Sequence, residues 1–226
     1  MTETMSVIIR TKNEEHWIGS CLDAVFNQDY PGFEVVVVDN ESTDRTREIV
    51  GRYPCTVVTI SDAEFNFSRA LNRGIEASQG RLAAILSGHC VPANEQWLLR
   101  LSLGFVDRKV AAVYGRQEPL PDSSPIDKRD LYTTFGLDRR VQVRDYFFHN
   151  ANSMIRRSIW KNLPFSEEIE GVEDRDWAKK VQEMGYTIVY EPTSSVYHHH
   201  GIHHDHSRER AARVVNVIEL IQKDRI

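Results

Sequence analysis

The sequence lacks any long apolar run. Its most apolar stretches, Val35–Val38 and Leu82–Leu86, fall far short of the ~20 residues needed to cross a bilayer as a helix. Cysteine is scarce. Cys21, Cys55 and Cys90 are odd in number and widely spaced, which excludes a disulfide framework and a Cys-x-x-Cys metal pair. Positive charge is not in excess: 28 Lys and Arg stand against 33 Asp and Glu, a net charge of −5. That argues against a nucleic-acid binder with a basic face, but not against anionic small molecules held by local groups. The opening Met1-Thr2-Glu3-Thr4 has neither the basic nor the apolar region of a secretory leader, so the expected location is cytoplasmic. No internal repeat is present. What remains is an ordinary globular composition, 41% hydrophobic and 27% charged over 226 residues, enough for one large domain or one domain with an appendage.

The first half alternates apolar runs with helical patterns. Met5–Thr11 reads as a buried strand. Ile18, Cys21, Leu22, Val25 and Phe26 then fall on one helical face. Phe33–Asp39 is the clearest strand, because β-branched residues at successive positions imply burial on both faces. Ser42-Thr43-Asp44 offers N-caps for a helix to about Val50. Further strands are expected at Cys55–Ile60, Arg81–Leu86 and Val110–Arg116, with helices at Ser68–Ser78 and Pro92–Phe105. Strands spaced by helices of this length predict βαβ units, an α/β class and a mainly parallel sheet flanked by helices.

After Arg116 the pattern weakens. Pro119, Pro121 and Pro125 mark a loop, and 127–145 is charged without clear periodicity. Asn152–Arg156 is an expected strand, and Ser158–Leu163 and Asp174–Met184 are expected helices. Thr187–Tyr190 and Ser195–His198 read as two short strands around Pro192. Ser207–Ile226 predicts a helix whose wide apolar band needs a packing partner: its own domain, a second subunit or a further domain.

Ligands of open α/β sheets sit beyond the carboxyl ends of the strands. This directs attention to Thr11–Glu14, Asp39–Asp44, Ser87–Cys90 and Arg116–Glu118. Asp39 follows four valines, a position that capping alone does not explain, and its carboxylate suits a nucleobase or ribose. Asn72 and Arg73 could serve a ribose or diphosphate, the guanidinium being a natural phosphate partner, although a capped helix with solvated arginines accounts for them equally. Glu173-Asp174 opens a helix and offers a general base. His89 follows a buried strand. Six of the nine histidines lie between His198 and His206, a tract that suggests metal binding.

Taken in order, these stretches resemble the inverting glycosyltransferases of family 2, which have the GT-A fold. The marks are Ile9-Arg10-Thr11-Lys12-Asn13-Glu14, Asp39 through Asp44, Asn72-Arg73-Gly74, and Ser87–His89 ahead of Pro92 and Trp97. Glu173-Asp174, Gly185-Tyr186, Tyr190-Glu191-Pro192 and Val196-Tyr197-His198 complete them. Each is weak alone; the ordered set, over roughly residues 5–200, is specific.

The resemblance implies a GT-A-type, Rossmann-like domain over 1–206, with a nucleotide-binding half to about 118 and an acceptor and catalytic half from 119. It implies transfer of a sugar from a UDP- or dTDP-linked donor to a hydroxyl of a saccharide or lipid-linked acceptor, with inversion. Bacterial surface-polysaccharide or glycoconjugate synthesis, at the cytoplasmic side and peripheral to the inner membrane, is the expected setting. Thr11, Asn13, Glu14, Asp39, Asn40, Ser42, Asn72 and Arg73 would serve the nucleotide. Ser87, Gly88, Arg116 and Glu173 would serve the donor diphosphate or acceptor, and Asp174 would be the catalytic base. The family's Asp-x-Asp has Ser87-Gly88-His89 in its place. His89 and His198, with His200 as a further candidate, would therefore hold a divalent metal, and imidazole ligands favour manganese over magnesium. The rival readings are a nucleotide- or metal-binding module without catalysis, and a nucleotidyltransferase on a similar sheet.

Overall fold

The computed structural model describes residues 4–169 and 171–201, together with Ala212, Val215, Asn216 and Glu219. Its strands are β1 (Met5–Thr11), β2 (Phe33–Asp39), β3 (Thr56–Thr59), β4 (Leu82–Ser87), β5 (Cys90–Pro92), β6 (Val110–Pro119), β7 (Arg140–Gln142), β8 (Asn152–Arg156) and β9 (Thr187–His198). The helices are α1 (Ile18–Phe26), α2 (Thr46–Val50), α3 (Phe67–Glu76), α4 (Trp97–Leu103), α5 (Pro125–Thr134), α6 (Arg157–Asn162) and α7 (Glu173–Glu183). The strands form one sheet in the order β3-β2-β1-β4-β8-β6-β9-β5, with β7 paired to β9. β3, β2, β1 and β4 run parallel, as do β6 and β9, and β8 lies antiparallel between β4 and β6. The expected α/β architecture is thus met, with two parallel blocks joined through β8.

The two-faced burial of the valine strand is direct. Val35 and Val37 enter a core shared with α1 and α4, while Val36 and Val38 enter a second core with α3, α6 and α7. β1 divides in the same way, with Val7 and Ile9 on one side and Ile8 on the other. At ~25 cal/mol per Å² of apolar area removed from water, strands buried on both faces dominate the stability of such a domain. Gly74 lets α3 lie close against this sheet: a Cβ there would come within 2.5 Å of Ile8 Cγ2 and 2.8 Å of Val38 Cγ2.

Four expectations need correction. Pro92 belongs to edge strand β5, where its missing N–H is tolerated, and the helix begins only at Trp97. Pro125–Thr134, in the weakly patterned stretch, is a helix capped by Ser124, whose Oγ accepts from the Asp127 N–H. The short strand Arg140–Gln142 also lies there. The two strands around Pro192 are one, β9, whose register with β6 shifts between Gly115 and Gln117. The expected packing helix over 207–226 lies outside the described residues except at the four positions named above; Ala212, Val215, Asn216 and Glu219 are helical and exposed. No helix among the described residues is long and apolar enough to cross a membrane.

Because β1, β2 and β4 are parallel, Thr11, Asp39 and Ser87 meet at one edge. β8 runs the other way, so its first residue, Asn152, pairs with Leu86 at that same edge. β9 ends there too, with His198 opposite Cys90.

Candidate active site

The loops after β1 and β2 are clasped together. The Asn13 N–H donates to Ser42 Oγ at 2.9 Å, and the Thr43 N–H donates to Asn13 Oδ1 at 2.8 Å. The Glu14 N–H donates to Thr46 Oγ1 at 2.7 Å. Asp44 accepts from the Glu15 N–H at 3.0 Å and the Thr46 N–H at 2.9 Å. Burial pushes the Asp44 carboxyl up, but these hydrogen bonds outweigh it, and the group sits below the usual carboxylate value. Asn13 and Glu41 both hold positive φ, 53° and 44°, a conformation Asn tolerates better than most residues.

Against this clasp lies a cavity of about 380 Å³. Thr11, Glu14 and Asn40 line it from the first two strand ends, Ser87 and His89 from β4 and the turn after it, and His198 and His200 from the end of β9. Arg10, Phe67, His149, Asn150, Glu173 and Asp174 also line it. The edge holds several buried polar atoms without a hydrogen-bond partner among the described residues: Arg10 Nε, Thr11 Oγ1, Asp39 Oδ1, Asn40 Oδ1 and Asn150 Nδ2. Such atoms are costly unless a ligand or water meets them.

Asp174, near the start of α7, is half-buried beside Glu173. Desolvation first, then the like charge of Glu173, push its carboxyl up to about 7, and the positive charge of Arg175 pulls only partly the other way. The Asn150 N–H lies 3.4 Å from Asp174 Oδ2. Arg10 is itself half-buried, with its guanidinium 4.8 Å from the centroid of the Phe67 ring. Burial lowers its pKa, while the charges of Glu173 and Asp174 work to raise it.

The histidines gather. The His89 and His198 rings stack at 5.1 Å between centroids and 5° between planes, and His200 lies 4.7 Å from His89 and 4.5 Å from His198. Glu14 Oε1 is 2.6 Å from His89 Nδ1. A carboxylate only accepts, so Nδ1 carries the proton and Nε2 presents the lone pair, an arrangement usual for a metal-ligating imidazole. The donor set of imidazoles backed by a carboxylate fits a divalent ion.

Not every expected residue reaches the cavity. Asn13 and Ser42 build the clasp behind it. Asp39 accepts from the Ser42 N–H at 3.2 Å and lies 3.8 Å from Arg47, one step back from the lining. Gly88 packs under the strand end, where a Cβ would come within 2.9 Å of Thr11 Oγ1. Arg116 lies 3.7 Å from Glu118. Asn72 is committed to the scaffold: its amide donates to the Phe165 carbonyl at 2.9 Å and accepts from the Trp160 indole at 2.9 Å. Arg73 pairs with Glu64 at 3.3 Å. Conversely, Arg10, His149 and Asn150 line the cavity although no motif assigns them a role. A lone arginine inside an apolar strand was a usable signal for the first; the weakly patterned stretch before β8 offered none for the other two.

A family model, Glycosyl transferase family 2, matches residues 6–163. The chain is 32% identical over 202 residues to glycosyltransferase AglE of Haloferax volcanii, a match covering 84% of this chain and 66% of that protein. It is 28% identical over 178 residues to the O-antigen chain rhamnosyltransferase WbaN of Salmonella anatum, covering 74% of this chain and 56% of that one. The chain thus spans about two thirds or less of the length of these relatives. A solved structure of the mannosyltransferase PcManGT from Pyrobaculum calidifontis, in complex with GDP-Man and Mn2+, shares the fold with a TM-score of 0.73 and 23% identity, over 97% of this chain and 65% of that one. The Staphylococcus aureus TarS fragment in complex with UDP has a TM-score of 0.72 at 20% identity, over 96% and 65%.

Proposed function

The chain belongs to glycosyl transferase family 2, and from that premise we propose that it moves a sugar, with inversion, from a nucleoside diphosphate to an acceptor hydroxyl. The observation that carries this reading is Asp174. Its carboxyl is held near neutrality on one wall of a cavity whose other walls are strand ends rich in unmet polar atoms. A base with a pKa close to working pH is the most effective kind.

In this reading Asp174 takes the acceptor proton as the hydroxyl oxygen attacks the anomeric carbon. The bond from that carbon to the diphosphate oxygen breaks on the opposite face, and its electron pair leaves with the diphosphate. One displacement needs no protein nucleophile. Thr11, Glu14 and Asn40 meet the nucleotide, with Asp39 behind them as an acceptor for the base or ribose. Ser87 and Glu173 lie toward the diphosphate and acceptor. Ser87-Gly88-His89 stands where the family has Asp-x-Asp, so His89 and His198, with His200 beside them, would hold a divalent cation. That cation would supply positive charge for the departing diphosphate. Nitrogen donors suit manganese better than magnesium, and the PcManGT complex with Mn2+ supports a divalent cation.

GDP-Man and UDP in the two solved structures support a nucleoside-diphosphate donor, with UDP- and dTDP-sugars as the first to try. The O-antigen chain rhamnosyltransferase relative supports polysaccharide synthesis, and the same reading gives the acceptor as a saccharide or lipid-linked saccharide at the cytoplasmic face of the inner membrane. The test is release of free nucleoside diphosphate from a panel of sugar nucleotides with a mixed acceptor pool. Turnover with manganese exceeding that with magnesium is expected. Nucleotide binding without release under every condition would favour a binding module instead.

A further inference from the structure

The histidine cluster has a neighbour that the transfer reaction leaves idle. Cys90 opens β5 next to His89 and pairs across to His198 of β9. Its thiol is buried. The donor atoms of His89, Cys90 and His198 all lie within 4.8 Å of one another. A tetrahedral ion with Zn–S near 2.3 Å and Zn–N near 2.0–2.1 Å needs donors roughly 3.5 Å apart, so side-chain adjustment of about 1 Å would close the set. Glu14, on His89 Nδ1 at 2.6 Å, fixes the ring and turns its lone pair to Nε2.

We propose that His89, Cys90 and His198 form a capture site for a thiophilic, zinc-class ion, and that this ion inhibits sugar transfer. The proposal rests on the metal reading given above and deepens it. Nitrogen and sulfur donors select the later first-row ions over manganese and magnesium. Three protein ligands on a tetrahedral ion leave a single open position. A diphosphate that chelates through two oxygens needs two. On capture the Cys90 S–H bond breaks, its proton passes to solvent, and the thiolate electron pair forms the bond to the metal. Nothing is oxidised or reduced.

Cobalt(II) is the spectroscopic probe, titrated into the full chain. The wild type should develop near-ultraviolet sulfur-to-cobalt charge-transfer absorption together with intense tetrahedral bands in the visible, and zinc should abolish both. Cys90→Ala should lose the sulfur band. Cys21→Ala, which removes a second buried thiol, should keep it. Zinc should inhibit manganese-supported turnover at a concentration at least about tenfold lower in the wild type than in Cys90→Ala, as expected for loss of the ligand that favours the late ion. Cys90→Ser, checked by circular dichroism, guards against a folding defect in the alanine variant. Cobalt bound without a sulfur band, or a band that survives in both Cys90 variants, overturns the proposal while leaving the histidine metal reading intact. Full sugar transfer in chelator, with no cobalt bound at all, removes both.

Discussion

At the ends of β1 and β2, backbone and side-chain polar groups meet one another. Asn13, Ser42, Thr43, Asp44, Glu15 and Thr46 exchange hydrogen bonds across two loops some 30 residues apart in sequence. Across the cavity, the segment before β8 and the start of α7 are built differently. Asn150 Nδ2 is buried without a partner among the described residues, and two carboxylates stand side by side, one with its pKa raised to about 7. The first corner, the loop clasp, is a satisfied network, which holds the loop pair in one geometry, whereas Thr11 Oγ1, Asp39 Oδ1 and Asn40 Oδ1 at the strand ends before it have no partner among the described residues. The second keeps its groups away from their individual optima, the condition under which a carboxylate becomes a useful base. Rigidity and reactivity are thus separated across a single cavity.

Substitutions can break this contrast or sharpen it. The largest effect belongs to Asp174→Asn. It keeps the shape and removes the basicity, so turnover should fall by about 10²–10⁴-fold, the usual size of a general-base contribution. Affinity for nucleoside diphosphate, measured by calorimetry, should stay near wild type. Near-normal turnover would dissolve the distinction between the corners and move attention to Glu173 or Asp176.

The next effect is on pH dependence. Below a pKa of about 7 the base is protonated, so turnover should rise roughly tenfold per pH unit toward that value and then level off. Stability should run the other way. The folded value lies above the ordinary ~3.9 of an aspartate, so between the two the native state binds the extra proton and stability drains as pH rises. Asp174→Asn removes that loss. Its melting temperature should match wild type near pH 4 and exceed it at pH 8. A variant less stable than wild type at pH 8 would contradict the strain assigned to this corner.

The smallest effect falls on the clasp. Asp44→Ala removes acceptors from two loop N–H groups and should cost about 1–2 kcal/mol of unfolding free energy in denaturant titration. The turnover of the folded fraction should change far less than in Asp174→Asn. A catalytic loss as large as that of Asp174→Asn would mean that the clasp takes part in the chemistry.

How legible each region was follows from the same division. Met5–Thr11 and Phe33–Asp39 could be read to the residue because branched apolar runs have no other home than a sheet buried on both faces. Pro125–Thr134 could not, because its charged sequence buries only Asp127 and Leu131 and shows no strong apolar stripe. Pro192 argues for two strands because proline lacks a ladder donor, yet it lies near the irregularity where β6 and β9 change register and no regular ladder is required. Among the residues that line the cavity, Asp174, His89 and His198 carry the signature of ordered motifs. Asn72 carried the same local signature but is engaged by Trp160 and Phe165, about 90 residues away, and no local pattern reveals a partner at that separation. His149 and Asn150 enter the cavity only because β8 reverses direction.

That reversal bears on how the site could diversify. β1 and β2 hand the cavity the residues that follow them, and those run through a short loop into α1 and α2. β8 hands over the residues that precede it, at the end of a long excursion from Pro119 to Asn152. Lengthening such an excursion costs little, about 0.6 kcal/mol for each doubling, and leaves the pairing of β1, β2 and β4 untouched. Insertions and replacements can therefore accumulate on that one wall, as new cutters are fitted to an unchanged lathe, while the wall proposed to hold the nucleotide is left intact.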